Sequence, residues 1–142
     1  MSIDLADLLH RGFVGRPCVV SRREHDWSFN CGDACGIVGH VPWRLVEAGY
    51  IALTNADDGQ KFGLPEPVDA ETRANALLNR ATIDRVQADP VTADLSLWFS
   101  NGLRLDLFNH STGYEGWEAW LQDDDRSVSV IAMGGGGFSI IG

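Results

Sequence analysis

Residues 94–108, "DLSLWFSNGLRLDLF", constrain the fold more than any other stretch. Apolar residues alternate with others on both sides of Asn101-Gly102, the period of two expected of strands with one buried face. Two registers compete. A two-residue Asn-Gly turn pairs Phe99 with Arg104 and Leu97 with Asp106, which mixes charge into the apolar face. A three-residue loop, Ser100-Asn101-Gly102, pairs Phe99 with Leu103, Leu97 with Leu105 and Leu95 with Leu107. It leaves one face wholly apolar and gives Gly102 the left-handed position of a bulged hairpin. The second register is therefore predicted. The opposite face then carries Ser96, Trp98, Arg104, Asp106 and Phe108, with Trp98 expected to stack on Arg104. Aromatic rings on that face need a cover: a helix, the other half of the chain, or a partner.

The hairpin sits inside a longer pattern. "LLHR" at 8–11 recurs as "LLNR" at 77–80. Each copy is followed by a β-rich run, a hairpin, a tryptophan-bearing turn and a further β-rich run. Trp27 to Phe29 corresponds to Leu95 to Phe99, and "PWRLV" at 42–46 corresponds to "YEGWEAW" at 114–120. An internal repeat of 3–62 and 69–142 is expected. Helices are predicted from Ile3 to Leu9, with Gly12 as the stop, and from an Asp69 cap to about Asn79. Strands are predicted at 17–23, 27–31, 35–41, 50–54, 81–88, 94–99, 103–108, 117–121, 127–132 and 138–141. "NADDGQ" at 55–60 reads as a turn and "GLPEP" at 63–67 as an irregular connector. The expectation is one α+β domain over 1–142, predominantly β. An antiparallel meander closes as a sandwich or a barrel, in two related halves that each carry a short helix.

Composition narrows the function. The chain has 142 residues and a formal net charge of −9. That length buries a full core without metal or disulfide staples. The negative charge opposes nucleic acid and anionic membrane, and favours a cationic protein partner. No signal peptide or membrane-spanning stretch is read, and Cys18, Cys31 and Cys35 make an odd count that suits a reducing cytoplasm.

Each chemical motif has a plainer counterpart. Glu115 and Glu118 stand three apart in "YEGWEAW", which on a strand puts them on opposite faces, so they do not form an acid/base pair. Tyr114 and Trp117 are expected to close a hydrophobic edge or, with the two glutamates, to form a binding lip. Cys31, Cys35 and His40 lack a fourth ligand of similar character, so no metal is assigned and the cysteines are expected to pack around a Gly32-Asp33-Ala34 turn. "MGGGGFSIIG" at 133–142 leads into a strand rather than a helix, so it reads as a close backbone approach and not as a phosphate loop. No G-x-S-x-G elbow occurs. "DDD" at 123–125 reads as an acidic hairpin turn.

The stretch "LSLWFSNGLRLDLFNHSTGYEGWEAW" resembles a small bacterial family with a strand, an Asn-Gly or Asp-Gly turn, a strand and a Tyr-Glu-x-Trp element. Similar patterns occur among immunity proteins carried beside bacterial polymorphic toxins. The resemblance covers about 81–121. It implies a β-rich bacterial protein-binding module and carries no catalytic residues. The sequence thus points to a non-enzymatic, immunity-like binding protein with candidate contacts at Trp98, Arg104, Tyr114, Glu115, Trp117 and Glu118. No cofactor is expected, and a homodimer stays open. The rival readings are a small hydrolase assembling His and carboxylate groups through the fold, and a ligand-binding β-barrel.

Overall fold

The computed structural model describes residues 4–142; Ile3, the expected start of the first helix, lies outside them. Helix α1 spans Leu5–Phe13, capped by the Asp4 carboxylate, which accepts from Asp7 N at 3.3 Å. It continues past Gly12, where the sequence suggested a stop. A Cβ at Gly12 would stand 2.8 Å from Leu121 Cδ1, so glycine serves close helix–sheet packing here rather than termination. Five strands follow: β1 (Val19–Arg22), β2 (Trp27–Asn30), β3 (Gly36–Gly39), β4 (Trp43–Glu47) and β5 (Tyr50–Thr54). A short 3-10 turn, Asn55–Asp57, precedes α2 (Ala70–Leu77), whose Asp69 cap accepts from Thr72 N at 3.1 Å. Six strands complete the chain: β6 (Ile83–Ala88), β7 (Leu95–Phe99), β8 (Arg104–Leu107), β9 (Trp117–Asp123), β10 (Arg126–Ala132) and β11 (Phe138–Ile141). Strand β4 is not among the predicted elements. Its "WRLVE" directly follows Pro42, which sits where a missing N–H costs no ladder bond.

The strands form two antiparallel sheets, a six-stranded one ordered β1-β2-β3-β9-β10-β11 and a five-stranded one ordered β5-β4-β8-β7-β6. Neither closes into a barrel, so the architecture is sandwich-like and the barrel alternative is corrected. Inward residues of both sheets, among them Phe29, Ile37, Trp43, Leu45, Leu97, Leu105, Trp117 and Val130, make one core. The β7–β8 hairpin has the predicted three-residue loop: Leu95 pairs with Leu107 and Leu97 with Leu105, Phe99 N donates to Leu103 O at 2.8 Å, and Gly102 has φ +88°. Leu95, Leu97, Phe99, Leu103, Leu105 and Leu107 are all buried.

Replacing β1–β5 by β6–β10, and the reverse, turns β1-β2-β3-β9-β10 into β6-β7-β8-β4-β5, which is the order of the five-stranded sheet. Strand β11 is the one addition. Each half lays a three-strand meander into one sheet and then crosses to the other. The helices follow the same exchange: α1 packs on β6, and α2 packs on β1. Trp43 and Trp117 begin the two crossing strands, and each is 1% exposed. The outer edge of β1 is covered by α2. Asn75 Oδ1 accepts from Val20 N at 2.7 Å, its Nδ2 donates to Val20 O at 2.8 Å, and Glu71 Oε1 accepts from Arg22 N at 2.9 Å.

Candidate functional site

The six residues singled out from sequence do not share one surface. Trp117 is in the core, its Nε1 donating to Ala93 O at 2.8 Å; the alternation of "WEAWL" turns Trp117, Ala119 and Leu121 inward. It is therefore neither a lip nor an edge residue. Tyr114 is 83% exposed in the loop before β9 and closes no hydrophobic edge. Glu115 is exposed in the same loop, and Glu118 is exposed on the outer side of β9. Gly116 between them is required by packing, because a Cβ there would overlap Asn109 Oδ1. The Asn109 Nδ2 group donates to Thr92 O and Met133 O at 3.0 and 2.9 Å, tying three loops together.

Trp98 and Arg104 do lie together, on the outer face of the five-stranded sheet. The predicted stack between them is not formed. Arg85, one strand further on, lies over Trp98 at 4.1 Å from the ring centroid, and Arg104 turns instead to Asp106. Arg85 also donates to Gln87 Oε1 at 2.7 Å, which fixes the stack. Asp106 is the centre of the face and its side chain is 6% exposed. Its Oδ1 accepts from Ser96 Oγ at 2.7 Å and Arg104 Nε at 2.9 Å. Its Oδ2 accepts from Arg44 Nε at 3.0 Å and Arg104 Nη2 at 3.1 Å. Burial pushes the Asp106 carboxyl up, but the hydrogen bonds from Ser96, Arg104 and Arg44 outweigh it and hold the pKa below its ordinary value. Arg44 also covers the Phe108 ring, 5.0 Å from its centroid. A hollow of about 380 Å³ opens over these groups. Sequence reasoning found Trp98 and Arg104 but missed Arg44, because β4 was not read as a strand. It also missed Arg85, whose partner on β7 is displaced by an irregularity between Ile83 and Arg85. The chain matches no family model, no curated protein and no solved structure.

A second concave region lies at one end of the sandwich. Two adjoining hollows of about 540 and 600 Å³ share His40 and His110, and the first is also lined by His25 and Trp27, the second by Ser111, Tyr114 and Glu115. His40 Nδ1 meets His25 O at 2.5 Å; a carbonyl only accepts, so Nδ1 is the donor. Ser111 Oγ accepts from Gly113 N and Tyr114 N at 3.2 and 2.9 Å. Among the described residues no hydrogen bond joins Ser111 or Glu115 to an imidazole. The cleft therefore gathers polar groups without a nucleophile–base pair.

The three cysteines are buried and free. Cys31 N donates to Cys35 O at 2.9 Å across the predicted turn. Cys18 hydrogen-bonds to Cys31 and burial adds to it, so the Cys31 thiol is held above its ordinary pKa; contact with Cys31 and burial do the same for Cys35. Such thiols are poor nucleophiles. Among the described residues no group of three or more His, Cys, Asp and Glu side chains could hold a metal ion.

Proposed function

We propose that this chain is a non-enzymatic protein-binding module whose contact surface is the outer face of the five-stranded sheet. The observation that carries this reading is the pair Arg44 and Arg104, both oriented by the buried Asp106 and each about a third exposed. Arginine and tryptophan are the residue types that dominate interface energetics, and their side-chain entropy is already spent here. Trp98 and Phe108 supply apolar area beside guanidinium groups that keep free Nη donors. Carboxylates on a partner complete that pattern. The net charge of −9 steers a partner that is basic overall, so the partner combines a positive field with acids at the contact. The resemblance of 81–121 to immunity proteins points to the same class.

The test is affinity capture from the source organism with wild type and with the double variant Arg85→Ala, Trp98→Ala. A specific partner should be held by wild type and lost by at least about tenfold in the variant, at unchanged melting temperature. Equal capture by both would remove this face from the function.

A further inference from the structure

The six-stranded sheet is one strand wider than the sheet it faces, and the surplus strand is β11 at its edge. The side chains of β11 show the overhang. Phe138 and Ile140 pack toward the core, where the Phe138 ring meets Trp117 at 5.7 Å between centroids, yet both stay only half-buried. The backbone shows which groups are left open. The Ala132 carbonyl, opposite Phe138, accepts from Gly116 N at 3.0 Å on its β9 side. Bonded and non-bonded pairs alternate along an antiparallel ladder, so Ser139 and Ile141 bond to β10, whereas the N–H and C=O groups of Phe138 and Ile140 point away from it. Among the described residues no turn, loop or side chain takes them. Val91 O accepts from Gly137 N at 3.1 Å, so the open stretch begins at Phe138.

The other three edges carry features that stop strand addition. Helix α2 covers β1 through Asn75 and Glu71. Strand β6 has α1 against it, is bonded at Ile83 by Gly15 and Arg16, and is broken by the irregularity before Arg85. Strand β5 lies beside α2, pairs with β4 through a bulge, and has its Thr54 N–H taken by Asp57 Oδ2 at 3.0 Å. In β11, "FSII", there is no charge, no proline and no bulge, and no described element covers it.

The strand that fits this edge is β11 itself. A two-fold antiparallel pairing that sets Ser139 opposite Ser139 of a second copy sets Phe138 against Ile140 of that copy, and Ile140 against its Phe138. These are the residues whose backbone groups point outward, so each such pair exchanges both of its hydrogen bonds. On the inner side the pairs are aromatic with β-branched, and on the outer side hydroxyl with hydroxyl, both of which stabilise neighbouring strands. The half-covered inward faces of Phe138 and Ile140 gain neighbours at the same time. No charged side chain of β11 enters the contact, so the net charge of −9 on each copy opposes the pairing only through its screened long-range field. We propose that β11 is a self-association edge, through which two copies join their six-stranded sheets into one continuous antiparallel sheet. The outer face of the five-stranded sheet stays free in such a dimer, so this inference stands apart from the function proposed for that face.

The experiment is sedimentation equilibrium of the full chain, with amide exchange followed by NMR. The strand is short, so the dimer is a weak one, with Kd on the order of 100 µM, and should tighten as salt screens the repulsion between two acidic copies. The amides of Phe138 and Ile140 should gain protection as concentration rises, while those of Ser139 and Ile141 change little. Ser139→Lys and Ser139→Glu each place like charges opposite one another at the two-fold axis and should weaken the dimer about fivefold; an equimolar mixture of the two should restore it as a heterodimer. Ile140→Pro removes an N–H that no bond to β10 uses, so it should abolish association with the β signal in circular dichroism retained. A wild-type chain that stays monomeric to about 1 mM overturns the proposal. So does a dimer equally strong in Ser139→Lys, or a mixture no tighter than either variant alone. A dimer that survives these changes and is lost in Trp120→Ala would assign association to the outer face of the six-stranded sheet, and overturns it as well.

Discussion

At the scale of single residues, Asp106 is where burial and charge meet. It is the one polar side chain buried below a tenth exposure among the described residues, and four hydrogen bonds occupy its two oxygens. Its folded pKa is depressed, so its contribution to stability is complete above the ordinary carboxyl range and is lost as pH falls through the lower folded value. Asp106→Asn should cost about 1–3 kcal/mol at neutral pH, discounted because both arginines are partly exposed, and should flatten the acid limb of a stability–pH curve measured by urea unfolding. An acid limb identical to wild type would mean that another carboxylate dominates it. The two glutamates of "YEGWEAW" make the opposite case. Both face water, so Glu115→Gln, Glu118→Gln should shift stability by no more than about 0.5 kcal/mol. A large drop in melting temperature would mean that one of them is paired inside.

At the scale of elements, the register of the β7–β8 hairpin was legible because one physical condition, an unbroken apolar face, selects it. Phe99→Ala should therefore cost about 3–5 kcal/mol in denaturant unfolding; under about 1 kcal/mol would contradict its burial. Its polar face was legible only in part. Which arginine covers Trp98 depends on an irregular step in β6, and alternation along one strand carries no information about that. Strand β4 was not legible because "WRLVE" follows a proline and does not alternate cleanly, Leu45 and Val46 both being buried where the register shifts. Trp117 was placed on its strand but on an edge or lip rather than in the core, because alternation along "WEAWL" does not say which of its two faces is covered. The Asp69 cap of α2 was readable, whereas neither end of α1 was: its cap Asp4 was read inside the helix, and Gly12 answers to Leu121 from a distant strand. The cysteine turn predicts a solution property too. None of the three thiols should react with a bulky disulfide reagent in the native protein, and all should react on unfolding. Rapid reaction of the native chain would place a cysteine at the surface.

At the scale of the whole molecule, the exchange of strands between sheets means that neither half owns a complete sheet. Peptides 1–62 and 69–142 should each be unfolded by circular dichroism and should recover β signal when mixed, because the core forms only between them. A folded half alone would show that the crossing strands are dispensable. The repeated helix motif and the tryptophan at the head of each crossing strand were visible in the sequence. The crossing itself was not, since it is a pairing of segments far apart along the chain. An open sandwich also leaves strand edges that could recruit further chains, and β1 is the edge where the fold answers this most directly. Asn75 offers Val20 a donor and an acceptor in the positions an incoming strand would use, and Glu71 takes the next N–H along. A side-chain amide thus acts as a counterfeit neighbour, complete for one residue and unable to pass the ladder on. The helix that packs on the core thereby also blocks strand addition along the β1 edge, through Asn75 and Glu71.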